Sequence, residues 1–190
     1  MGRTAGRSPE DTRRLVLDAA AEVIRAHGVA ASLDVVARRA GVSKGGLLYH
    51  FPSKDALVVA LAEEMNEAFR AAVRAHLDPD DAGPGRLTRA FVRASLAEAA
   101  EDHEARERIA LTAHLITVPA VARLAQEDTA WWERELAADG LPVEVQAVVV
   151  AAADGVSGAP LWGATPDRER LDLLRTRLLA MIDEAVGARG

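Results

Sequence analysis

The chain has no cysteine, which excludes disulfide frameworks and thiolate metal sites and fits a reducing compartment. Long hydrophobic runs are also missing. No uncharged apolar stretch is longer than that of residues 147–153, which is far shorter than the ~20 residues a membrane-spanning helix needs. No apolar segment follows Arg3 and Arg7, so the first nine residues do not read as a secretory signal. Alternation of apolar and polar residues over a strand length is absent, whereas apolar positions recur at helical spacing almost throughout. The expectation is an all-α, soluble, cytoplasmic protein that needs neither cofactor nor metal and has no membrane partner. At 190 residues it can bury a substantial core unaided.

Lysine is nearly absent as well. Of 23 basic residues only Lys44 and Lys54 are lysines, and Tyr49 is the single tyrosine. In a composition so dominated by arginine, two lysines retained close together point to places where a compact ammonium suits better than a broad guanidinium. The overall charge of −6 divides unevenly: residues 1–57 hold nine basic against six acidic residues, net +3, and the remainder carries net −9. A basic module can meet phosphates while an acidic one faces solvent. Two domains are expected, 1–57 and 58–190.

Helix signals are well marked. Ser8, Pro9, Glu10 and Asp11 open a helix with a cap, a first-position proline and first-turn acids; it runs to about His27, stops at Gly28, and turns Leu15, Ala19, Val23 and Ile24 inward. Ser32 is placed to cap a short helix, 33–40, ended by Gly41, and Ser43 a third, 44–50. After Pro52 and Ser53 comes a long helix with Leu57, Leu61, Met65, Phe69 and Val73 on one face, then an Asp/Pro/Gly-rich loop at 78–85. Further helices are expected over 86–101, 104–117, 119–138, 143–159 and 167–187.

The segment Ala37-Arg38-Arg39-Ala40-Gly41-Val42-Ser43 joins two short helices by a tight glycine turn, a helix-turn-helix arrangement whose second helix fits the major groove. Ala37 is small where helices cross, Gly41 frees the turn, and Val42 plugs the core. Gly45 and Gly46 permit close approach to DNA and weaken the helix by roughly 1 kcal/mol each, so it is expected to be loose until it meets an operator. Phe51 has two readings, core closure or DNA contact. Arg38 and Arg39 form either a solvated face or base readers, and Arg3 and Arg7 either a minor-groove arm or a tail without a role.

The stretch 32–57, and above all Ser43-Lys44-Gly45-Gly46-Leu47-Leu48-Tyr49-His50-Phe51-Pro52-Ser53-Lys54, closely resembles the DNA-binding signature of the tetracycline-repressor (TetR) family. The resemblance implies an all-helical homodimer with a three-helix DNA-binding domain and a variable C-terminal ligand domain, usually a repressor of a palindromic operator released by a small-molecule effector; an activator, or a helical interaction module of the same fold without DNA binding, is the alternative. It also implies base contacts from Lys44 to Leu48 and phosphate contacts from Tyr49, His50 and Lys54, with Ser32, Ser43, Gly45 and Gly46 completing the DNA-binding set. Leu48 departs from the aromatic or polar residue common there.

In the C-terminal part, helix 143–159 is apolar on nearly all sides and helix 167–187 carries a leucine stripe. A four-helix bundle with a second copy would bury both, giving a dimer set of Val145, Val149, Ala152, Val156, Leu171, Leu174 and Leu178; ordinary intrachain core is the alternative. Phe69, Phe91, Leu111, His114, Asp128, Trp131 and Trp132 are the candidate ligand set, an apolar group with a few polar members. The same stripe reads equally as core with Asp128 paired to an arginine, and Asp154 as an interface or cap residue. Gly41-Val42-Ser43-Lys44-Gly45 fits a nucleophile-elbow spacing, but that elbow needs a preceding strand. His103-Glu104 lacks the second histidine of a zinc-protease helix. No enzyme is expected.

Overall fold

The structure, a computed structural model, describes residues 8–100, 102–164 and 167–188. These form helices and connecting loops only: α1 (Pro9–His27), α2 (Leu33–Ala40), α3 (Lys44–His50), α4 (Lys54–Ala75), α5 (Arg86–Ala100), α6 (Asp102–Leu115), α7 (Pro119–Ala137), α8 (Val143–Gly158), a 3-10 turn (Ala159–Trp162) and α9 (Arg168–Gly187). The all-helical expectation holds, and each boundary lies within a turn of the expected one. Arg3 and Arg7 lie outside the described residues.

The chain divides into two compact units, one of Met1–Asn66 with Ala110–Gln126 and one of Glu67–Ile109 with Glu127–Gly190. The division does not fall at residue 57, because Leu111, Leu115 and Val121 share a core with Leu57, Val58 and Leu61. In the first unit Ser8 and Asp11 form a reciprocal capping box, Ser8 Oγ accepting from the Asp11 amide at 3.0 Å and Asp11 Oδ2 from the Ser8 amide at 3.2 Å. Because α1 packs against both α2 and α3, its buried arc is wide. Val16 and Leu17 are inside, while Leu15 is only half-buried. Ser32 occupies the N-cap position of α2, but its hydroxyl makes no capping bond, so its expected capping role is corrected.

In the second unit α5, α8 and α9 pack together. The Asp139 carboxylate accepts from the Leu87 and Thr88 amides at 3.0 and 2.7 Å and from the Thr88 hydroxyl at 2.7 Å, satisfying the first-turn donors of α5. Gly85, at φ +83°, donates to the Asp139 carbonyl at 2.8 Å. Buried Arg89 grips Asp81 through Nε and Nη2 at 2.7 and 2.9 Å and reaches Asp183 at 3.2 Å. That bond holds the Asp81 carboxyl below the usual aspartate range and raises Arg89.

The expected dimer stripe requires correction at three positions, Val149, Leu171 and Leu178. Val149, Leu171 and Leu178 are buried in the protomer's own core with Val92, Leu96, Leu141 and Ile182, and Val145, Ala152, Val156 and Leu174 pack half-buried against it. Helix α5 and Leu141 supply the cover that the two helices lack by themselves. The apolar residues left outside are others: Val148 is 54% exposed, Leu173 66% and Trp162 87%, with Val143 and Leu161 also exposed. Val143–Trp162 is long and apolar enough by length and composition to cross a membrane, yet only 11% of its most apolar window is buried. A count of uncharged runs overlooks it because Glu144 and Asp154 interrupt the stretch.

Candidate nucleic-acid interface and ligand cleft

The turn between α2 and α3 depends on Gly41, whose φ of 68° and ψ of 30° are left-handed, and on Val42, whose amide donates to the Ala37 carbonyl at 3.0 Å. Ser43 starts α3 by accepting the Gly46 amide at 3.0 Å. A Cβ at Gly46 would come within 3.2 Å of that Ser43 hydroxyl, whereas one at Gly45 would meet nothing within 4 Å. The fold therefore gives no reason for glycine at 45. Leu47 is fully buried and pins the helix, which removes it from the run of base-contacting positions.

With Leu47 inside, Ser43, Lys44, Gly45, Leu48 and Tyr49 stand exposed, Tyr49 by 81%. An aromatic ring left in water carries unused contact area and a polar tip. The half-buried His50 ring meets Tyr49 edge-on at 5.2 Å. Lys44 Nζ lies 2.9 Å from Asp34, a surface pair worth ~0–1 kcal/mol and easily exchanged for a nucleic-acid contact. Lys54 opens α4, half-buried, beside Ser53, whose hydroxyl accepts the Ala56 amide at 3.0 Å. Phe51 is 2% exposed with the Arg13 guanidinium 5.3 Å above its ring, so it closes the core. Arg39 is bound to Glu22 of α1, and Arg38 beside it is exposed, as Arg39 is.

The ligand set separates. Phe69, Phe91, Asp128 and Trp132 line one cleft of about 690 Å³ in the second unit, with Glu133, Leu136, Ala147, Val150, Ala151 and Asp154 among its other walls. Its rings form a mutual edge-on triad: Phe69–Phe91 5.4 Å, Phe91–Trp132 5.1 Å and Phe69–Trp132 5.6 Å between centroids. Trp131 stands behind this wall, 4.8 Å from Trp132. It carries the Arg70 guanidinium 4.6 Å over its ring, and Arg70 is paired with Asp128. Leu111 and His114 do not join the cleft. Leu111 belongs to the first unit's core, and His114 lies where a Cβ on Gly28 would be 3.7 Å away.

Asp154, expected at an interface or a cap, lines the cleft instead, and Glu133 joins it. Both were legible from spacing, since Ala147, Val150, Ala151 and Asp154 share one helical face and Glu133 follows Trp132. The apolar walls push the Asp154 carboxyl up by desolvation. Among the described residues no group of His, Asp and Glu is placed to hold a metal ion.

Residues 16–61 match the family model for bacterial regulatory proteins of the tetR family, and residues 85–183, more than half of the chain, match the tetracyclin repressor-like C-terminal domain. The chain belongs to the TetR family. Over 68 residues it is 41% identical to the HTH-type transcriptional regulator SrpR of Pseudomonas putida, covering 35% of this chain and 32% of that protein. The chain thus spans about a third of that relative and 51% of another, the HTH-type transcriptional regulator TtgW of Pseudomonas putida. A TetR member from Streptomyces coelicolor A3 matches with a TM-score of 0.69 and 28% identity over 90% of this chain and 98% of that one. The multidrug binding protein EbrR complexed with malachite green matches with a TM-score of 0.69 and 27% identity over 90% and 97%. The two solved structures thus match 90% of this chain at under 30% identity, and the regulator SrpR a shorter stretch of 68 residues at 41%.

Proposed function

We propose that this TetR member is a homodimeric repressor that holds a palindromic operator through α3 and releases it when a small molecule enters the α4–α5–α7–α8 cleft. The carrying observation is the outer face of α3: Tyr49 four-fifths exposed, with a glycine at 45 that nothing within the fold requires. Such a face suits a helix pressed into the major groove, with Lys44, Gly45 and Leu48 at base edges. Tyr49, His50 and Lys54, with the unused Ser32 hydroxyl, suit phosphates. The relative SrpR is named a transcriptional regulator and EbrR a multidrug binding protein, which supports both halves of the reading.

A second copy is the occupant assigned to the exposed apolar residues Val148, Leu161, Trp162 and Leu173. Helices α8 and α9 pairing with their symmetry mates would form a four-helix bundle. The dimer would present two α3 helices to half-sites about 34 Å apart. The proposal includes no catalysis, and its place of action is the cytoplasm, where the operator is. The test is selection of bound duplexes from a random pool at near-physiological salt, with Tyr49→Ala beside the wild type. A palindromic motif enriched by the wild type alone is expected. No enrichment by the wild type, even with metabolite pools added, would overturn the reading and leave a helical interaction module, whereas equal enrichment by both proteins would remove Tyr49 from the contact set.

A further inference from the structure

The cleft has a charge pattern that narrows what can enter it. Three carboxylates, Asp128, Glu133 and Asp154, line it and no cationic side chain does. Asp128 is already matched by Arg70 behind the wall. The Asp154 and Glu133 side chains make no ion pair or hydrogen bond among the described residues. The rest of the lining is aromatic or aliphatic apart from Thr129 and Gln146, and the Gln146 amide is taken up by the Leu136 carbonyl.

An anion entering here would meet two unmatched negative charges and no donor strong enough to offset them. A neutral apolar molecule would cover the exposed Asp154 carboxylate and strip its water without replacing it, which is costly for a charged group. A hydrated inorganic cation would gain nothing from the three rings. An apolar organic cation satisfies every wall, because its weakly hydrated charge leaves water easily and the ring faces attract it.

We propose that the cleft binds apolar, preferably aromatic, organic monocations, with Asp154 as counter-ion, Glu133 at the mouth, and the Phe69, Phe91 and Trp132 rings as its walls. The assignment rests on the cleft being the effector site of the proposed repressor, and it adds the chemical class of the effector. The upward shift of the Asp154 carboxyl agrees with a group whose apolar surroundings have no countercharge until a cation arrives.

The probe pair is tetraphenylphosphonium and tetraphenylborate, nearly equal in size and shape and opposite in charge, titrated calorimetrically into the full chain. The phosphonium should bind the wild type at least ~10-fold more tightly than the borate, and Asp154→Asn should weaken it by ~10-fold or more, as expected for loss of a charge-assisted contact. Asp154→Glu should retain most of the affinity. Equal or tighter borate binding, or an unchanged phosphonium affinity in Asp154→Asn with wild-type helicity, would overturn the assignment. The same preparations are tested on the selected duplex. Duplex binding released only by neutral or anionic molecules overturns the cation assignment and leaves the repressor reading intact. Phosphonium capture without any duplex binding supports the cleft chemistry and sinks the repressor reading instead.

Discussion

Placing a carboxylate at Val148 should separate the dimer without unfolding the chain. Val148 is 54% exposed, and full burial of a valine is worth ~2 kcal/mol, so a partner covering the remaining half contributes about 1 kcal/mol per copy. In a two-fold interface the residue is lost twice, about 2 kcal/mol. Two desolvated carboxylates add a further ~2 kcal/mol or more. The sum, roughly 4 kcal/mol, is about a thousandfold in dimer Kd. Sedimentation over a wide concentration range should find Val148→Asp monomeric where the wild type is dimeric, with unchanged far-ultraviolet dichroism. Val149→Asp should behave differently. Val149 is fully buried within the protomer, so the charge enters the core and helicity and Tm fall together. A Val148→Asp protein as dimeric as the wild type, or a Val149→Asp protein that is monomeric with wild-type Tm, would refute the assignment of outer and inner faces.

Three further outcomes follow from the geometry. Lys54→Ala should weaken all duplexes about equally and reduce the slope of log affinity against log salt by ~1; an unchanged slope counts against its phosphate role. Gly85→Ala would set a Cβ 2.7 Å from Ile182 Cγ2 and 3.0 Å from Leu141 Cδ2 at a φ of +83°. Backbone strain of ~1–2 kcal/mol and crowding of ~1–3 kcal/mol should together lower stability in urea by about 3 kcal/mol, and a loss under ~1 kcal/mol would contradict the packing. Asp81→Asn removes one partner of the enclosed Arg89 pair and should cost ~2–3 kcal/mol at neutral pH. Because the Arg89 bond holds the Asp81 carboxyl low in the folded state, the unfolded chain binds its proton first as pH falls. The contribution is complete above ~pH 4 and fades below it as pH approaches the folded value. The gap between wild type and Asp81→Asn should therefore close in acid, and a gap constant down to pH 2 would show that the pair is not its source.

Much of the DNA-binding half was legible because its signals are local. A glycine where the chain must turn left-handed, a serine whose hydroxyl can reach an amide three residues on, and apolar spacing along one helix are all properties of a few adjacent residues, so Gly41, Ser43 and the helix ends could be read directly. Ser32 has the same local pattern and makes no capping bond, since a cap-prone residue only permits the bond. The choice between Leu47 and Leu48, adjacent and chemically identical, was less legible. One is buried and the other exposed because the axis of α3 is rotated by its packing on α1 and α2.

The amino-acid sequence by itself determined that the chain is helical, where each helix begins and ends, and that α3 belongs to a DNA-binding signature, because periodicity, caps and turn residues act over a few positions. Only the tertiary structure decided which faces are used. A helix apolar all round, such as α8, gives no clue as to which side meets its own chain; Val149 went inside and Val148 outside because α5 and α9 arrive from one direction. The cleft was settled in the same way. Phe69, Phe91, Trp132 and Asp154 come from four helices, while Leu111 and His114 turned elsewhere, and contacts between residues far apart in the chain depend on helix packing that no local pattern encodes.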